Sequence, residues 1–95
     1  MTIEEVIQNL DFLSNADTVF ASRPFKKESE IRLVKDAHLD NRELEASGFS
    51  YFLEVAIMRE VIEVWQKWRN ERIPTLNEKI EAIIYYAEND AYFPN

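Results

Sequence analysis

The segment 51–68, YFLEVAIMREVIEVWQKW, changes its hydrophobic period part-way along. Phe49, Tyr51, Leu53, Val55 and Ile57 alternate onto one face of an extended chain, leaving Ser50, Phe52, Glu54 and Ala56 on the other. From Met58 the spacing becomes helical. Ile57, Val61, Val64, Trp65 and Trp68 make an apolar stripe, and Arg59, Glu63, Gln66, Lys67 and Asn70 make a polar one. A strand running straight into a helix is therefore expected, with the rest of the fold built around it. The rival, one continuous helix from Tyr51, would set Glu54 beside the apolar stripe.

Upstream, Thr2-Ile3-Glu4-Glu5 fits a capping box, and Ile3, Val6, Ile7 and Leu10 recur at helical spacing, which predicts a helix over 3–12. Residues 18–22 and 31–35 read as two strands of a hairpin. Pro24 and the charged KKESE run form their connection, because neither suits a central strand. Residues 42–46 can add a helical turn before Gly48. Beyond Pro74, Thr75-Leu76-Asn77-Glu78 is a second capping box. It opens a helix with Leu76, Ile80, Ile83, Ile84 and Ala87 buried and Tyr85 and Tyr86 on its flanks. The order α-β-β-β-α-α predicts an α+β fold with a small antiparallel three-stranded sheet packed on helices, as one domain over 1–95.

A chain of 95 residues with 46% hydrophobic content can bury roughly two-thirds of its unfolded surface, enough for one core without staples. With one glycine there is no glycine-rich phosphate loop, and with no cysteine there is no disulfide, thiolate nucleophile or cysteine zinc site. The acidic start MTIEEVIQNL does not read as a signal peptide, and no apolar run approaches a membrane span. A soluble, cytoplasmic protein is expected. The net charge of −7 argues against nucleic acid as a partner. The charge is uneven: 23–35 holds Arg23, Lys26, Lys27, Arg32 and Lys35 against Glu28 and Glu30.

The sole histidine, His38, stands between Asp36 and Asp40, but one histidine and two carboxylates match no metal or catalytic motif. No serine sits in a nucleophile elbow. No catalytic residue, cofactor or metal site is expected. Glu54 is different, because it interrupts an apolar strand. A cross-strand pair with Arg32 on the sheet's open face would satisfy it. The sharper reading makes Phe20, Arg32, Phe52 and Glu54 a recognition patch. Trp68 near its helix end, with Tyr92 and Phe93 of the tail, is a second candidate contact surface.

Tyr51-Phe52-Leu53-Glu54-Val55, Arg59-Glu60-Val61, Trp65 and Tyr86-Ala87-Glu88-Asn89-Asp90-Ala91, with Arg23-Pro24-Phe25, resemble a family of short, uncharacterised bacterial proteins. The resemblance implies bacterial origin and a shared fold, and transfers no catalytic residue. It draws attention to Glu54, Arg59, Asn89 and Asp90.

The functional expectation is a non-enzymatic protein that acts by protein–protein interaction. Its most concrete form is an acidic immunity or inhibitor protein for a basic toxin or nuclease. A homo-oligomeric structural or regulatory module and a small hydrolase or ligand-binding protein stand as alternatives.

Overall fold

The computed structural model describes residues 1–35 and 42–94. Helix α1 (Ile3–Gln8) and a short 3-10 helix (Leu10–Phe12) lead into strands β1 (Asp17–Ser22) and β2 (Ile31–Lys35). Helix α2 (Arg42–Ala46), strand β3 (Phe49–Glu54), helix α3 (Val55–Lys67) and helix α4 (Leu76–Asn89) follow. The α+β fold and the three-stranded antiparallel sheet agree with the sequence pattern.

Both capping boxes form. The Glu5 amide donates to the Thr2 hydroxyl at 3.3 Å while the Thr2 amide donates to the Glu5 carboxylate at 3.0 Å. Thr75 and Glu78 repeat the exchange at 3.2 and 2.9 Å. Each box satisfies amides that a helix start leaves without partners. The first helix is shorter than its periodicity predicts. Asn9 leaves helical backbone, its side-chain amide donates to the Glu5 carbonyl at 2.8 Å, and the chain continues as 3-10 helix.

The sheet order is β2-β1-β3, with both pairings antiparallel. Val19, Ala21, Ile31 and Leu53 face the helices. They meet Ile3, Val6 and Ile7 of α1, Met58, Val61 and Trp65 of α3, and Ile80 and Ile83 of α4 in one buried cluster. The amino terminus is tied to the β1–β2 connection and to the start of β2: the Ile3 amide donates to the Ser29 carbonyl and the Ile31 amide to the Met1 carbonyl. Phe25 of that connection enters the core and meets Phe52 edge-on, with ring centroids 4.9 Å apart.

The structure corrects the strand-to-helix junction in two respects. Helix α3 begins at Val55, three residues before the expected change of period. Val55, Met58, Val61 and Trp65 are all buried, so Val55 already belongs to the helical stripe that simple alternation had placed on the strand. The second correction concerns parity. Val19 pairs with Leu53 but Phe20 pairs with Tyr51, so Phe52 is an extra residue in β3. Such a bulge reverses the faces of the residues beyond it. Phe52, expected on the open face, is 1% exposed, and Tyr51, expected in the core, is 47% exposed.

Between α3 and α4 the chain turns through Asn70 and Glu71, both at positive φ. Arg72 anchors this turn, its guanidinium donating twice to the Glu78 carboxylate at 3.2 and 2.8 Å and lying 4.6 Å from the Trp65 ring centre.

Two predictions follow from this packing. Phe52→Ala should destabilise the fold by about 3–5 kcal/mol in urea unfolding, because it empties a core site, while Tyr51→Ala should cost about 1 kcal/mol. The reverse order would remove the bulge. The Arg72 guanidinium, with the Thr75 amide, holds Glu78 down to about 2 from an ordinary 4.5. A depressed carboxylate stabilises the fold above its unfolded pKa and loses that contribution as pH falls through its folded one. Glu78→Gln should therefore lower the melting temperature at pH 7 and flatten its fall between pH 4.5 and about 2.

Candidate interaction surface

On the face of the sheet away from the helices, Phe20 is buried beneath its neighbours rather than in the main core. Arg32 stands opposite it on β2 and Tyr51 opposite it on β3. The Phe20 and Tyr51 rings meet edge-on at 6.1 Å. The Arg32 guanidinium lies 4.5 Å from the centre of the Phe49 ring. Two expectations for this patch fail. Phe52 has gone into the core. Arg32 and Glu54 cannot form a cross-strand pair, because β1 runs between their strands and Glu54 stands opposite Thr18. Glu54 instead occupies the residue before α3, exposed and extended, where the positive end of the helix dipole favours a carboxylate.

The second patch assembles around the tail. Tyr92 meets Trp68 edge-on at 5.8 Å and packs against Tyr86 at 5.2 Å, and Phe93 meets Tyr85 at 5.2 Å. The Arg69 guanidinium holds the tail in place by donating to the Pro94 carbonyl at 2.8 Å. Trp68 remains 47% exposed despite these contacts.

Tyr51 joins the two patches. Burial, then the Glu54 carboxylate, then Tyr86 and Asp90 raise its hydroxyl above the ordinary phenolic value. The end of β3 therefore lies within electrostatic reach of the end of α4. Tyr92 is raised in the same way by burial, by the Glu60 carboxylate and by Tyr86. The Phe20–Tyr51 ring pair and the Tyr86–Tyr92–Trp68 cluster thus lie within electrostatic reach of each other, with Glu54, Glu60 and Asp90 beside their tyrosines. The sequence points to Phe20, Tyr92 and Trp68 as contact residues but not to Tyr51 or Tyr86. Tyr86 was visible as a flank of the α4 stripe, but alternation had assigned Tyr51 to the wrong face.

The other polar residues singled out by the resemblance have structural work. The Arg59 guanidinium donates to the Leu10 and Leu13 carbonyls at 2.7 and 2.6 Å and to the Asn15 side chain, closing the end of the 3-10 helix. Asn89 donates back to the Tyr85 carbonyl at 3.0 Å. Asp90 takes the left-handed backbone (φ 53°) that ends α4, a conformation aspartate and asparagine tolerate better than most residues.

A family model described as "Domain of unknown function (DUF7716)" matches residues 1–94. The chain belongs to this family. No curated protein and no solved structure matches it. The quoted pieces of this DUF7716 chain thus include the bulge, the α3 junction, the Arg59 clamp and the α4 cap, the points where the backbone changes direction. Asp36, His38 and Asp40 lie outside the described residues. Among the described residues no group of three or more His, Asp or Glu side chains is placed to hold a metal ion. None of the described helices is long and apolar enough to cross a membrane.

The shared tyrosine environment has a direct readout. A phenol whose pKa is raised by folding stabilises the fold fully below its unfolded pKa, and this contribution is lost as pH rises through the folded value. In an alkaline titration followed by phenolate absorbance, Tyr51→Phe and Tyr92→Phe should each remove a component that ionises above pH 10.0. Loss of an ordinary component in both variants would separate these hydroxyls from the neighbouring carboxylates.

Proposed function

We propose that this protein acts by binding another protein through the acidic aromatic face that runs from Tyr51 to Trp68. The observation that carries the reading is the exposure of Tyr51 and Trp68, each set edge-on against a further ring, with Glu54, Glu60 and Asp90 acting on the neighbouring tyrosines. Tyrosine and tryptophan supply large contact area at little entropic cost and are enriched among the residues that dominate binding energy. The carboxylates select a basic partner and speed its approach. The net charge of −7 supports the same choice. In its most concrete form the protein is an immunity or inhibitor protein that occludes a basic toxin or nuclease. Catalysis forms no part of this reading.

The test is affinity capture from the native host at low salt, with wild-type protein and a Tyr51→Ala/Trp68→Ala double variant side by side. A basic protein retained by the wild type, released by salt and lost with the variant is the expected result. Each single substitution should weaken the purified complex by about 2 kcal/mol, roughly thirtyfold. Self-association that the double variant abolishes would instead make this face a homo-oligomer interface. A partner retained equally by the variant would move the binding site elsewhere.

A further inference from the structure

On another side of α3, a concavity of about 190 Å³ opens among α1, the 3-10 helix, α3 and α4. Its walls combine the apolar side chains of Ile7, Leu10 and Ile62 with the cationic groups of Arg59 and Lys79. We propose that this pocket binds a small organic monocarboxylate, with the carboxylate between Arg59 and Lys79 and the apolar body against Ile7, Leu10 and Ile62.

The first argument is charge. The Arg59 guanidinium is fixed by three oxygens, all of them neutral: the Leu10 and Leu13 carbonyls and the Asn15 amide oxygen. Those bonds orient it and leave part of its donor fork unused and its charge uncompensated. Lys79 has no carboxylate partner among the described residues, although Glu78 beside it is taken by Arg72 and Lys67 by Glu63. It also lies in the first turns of α4, where the helix dipole disfavours a cation. Two cations from different helices thus line one cavity that holds a single carboxylate, Asp11. An anion held between them would make charge-assisted hydrogen bonds in a partly desolvated site, where such bonds are strongest.

The second argument selects the anion. Asp11 shares the lining, which brings the local balance to a single positive charge and opposes a multiply charged phosphate. The volume is somewhat larger than the roughly 150 Å³ apolar cavity known to admit benzene, so a body of about one ring fits. The apolar wall gives that body a surface to cover, as is usual where a few polar groups fix a ligand's orientation.

The probe is benzoate, titrated into isotopically labelled full-length protein and followed by the methyl resonances of Ile7, Leu10 and Ile62. Benzamide serves as the neutral isostere and inorganic phosphate as the competing anion. Saturable shifts at those methyls with benzoate in the millimolar range, absent with benzamide, are expected. Lys79→Gln should weaken benzoate by roughly tenfold or more. It is preferred to an Arg59 variant because Arg59 also holds the 3-10 helix. Equal binding of benzamide or phosphate, shifts mapping to another surface, no saturable response, or an unchanged Lys79→Gln would each overturn the proposal.

Discussion

β3 carries one residue more than β1 offers it partners, and the extra residue is Phe52. Two large side chains depend on that mismatch. The bulge turns Phe52 inward, where its ring meets Phe25 and locks the β1–β2 connection to the core. It turns Tyr51 outward, where it covers Phe20 and approaches the end of α4. Without the bulge, Phe52 would lie on the open face and Tyr51 would compete with Leu53 for the core. The bulge therefore makes both the hydrophobic closure and the outward placing of Tyr51. Three residues later the strand has become α3, so the same short stretch also sets where that helix starts.

The arginines explain why so much acidic surface is left over. Arg59 binds backbone carbonyls, and Arg69 binds the tail carbonyl and lies 4.3 Å from the Trp65 ring centre. Arg72 pairs with Glu78, while Arg23 and Arg32 lie over Phe25 and Phe49. Guanidinium suits these tasks because it can hydrogen-bond through its edge while its face lies on a ring. Apart from Arg72, these cations are engaged with carbonyls and rings and do not neutralise carboxylates. The charge of −7 thus reaches the surface with few local counter-ions, and Glu54, Glu60 and Asp90 beside the tyrosines are one place where it does so.

Much of this fold is legible in the sequence. Thr2 with Glu5 and Thr75 with Glu78 mark two helix starts by chemistry that is local and specific. The period change in 51–68 is legible because strand and helix have different repeats. What escapes is non-local. A period-2 pattern cannot report an inserted residue, since Phe52 and Tyr51 are both aromatic and either could serve as the core residue. Strand order escapes as well: placing β1 between β2 and β3 separates Arg32 from Glu54, and nothing in either residue's neighbours announces it. The candidate surface is legible at Phe20, Tyr92 and Trp68, while Tyr51 owes its place there to the bulge. Glu54, Arg59, Asn89 and Asp90 attracted notice as polar residues in otherwise fold-determining pieces. Each proves to sit where backbone groups run out of regular partners, which is a reason for a polar residue that requires no ligand.

Helix α3 separates the two candidate sites. Arg59 and Glu60 are adjacent in sequence, yet successive residues of a helix point about 100° apart. Arg59 therefore turns toward the 3-10 helix and the pocket while Glu60 turns toward Tyr92. The two directions also differ in electrostatic character. On one side cations line a concavity with apolar walls, and on the other carboxylates border exposed rings. A concave cationic site suits a small anion, and an exposed acidic aromatic face suits a basic protein. Lys79 takes no part in the aromatic contacts and Trp68 does not line the pocket, so a substitution at Lys79 leaves the aromatic face intact and one at Trp68 leaves the pocket intact.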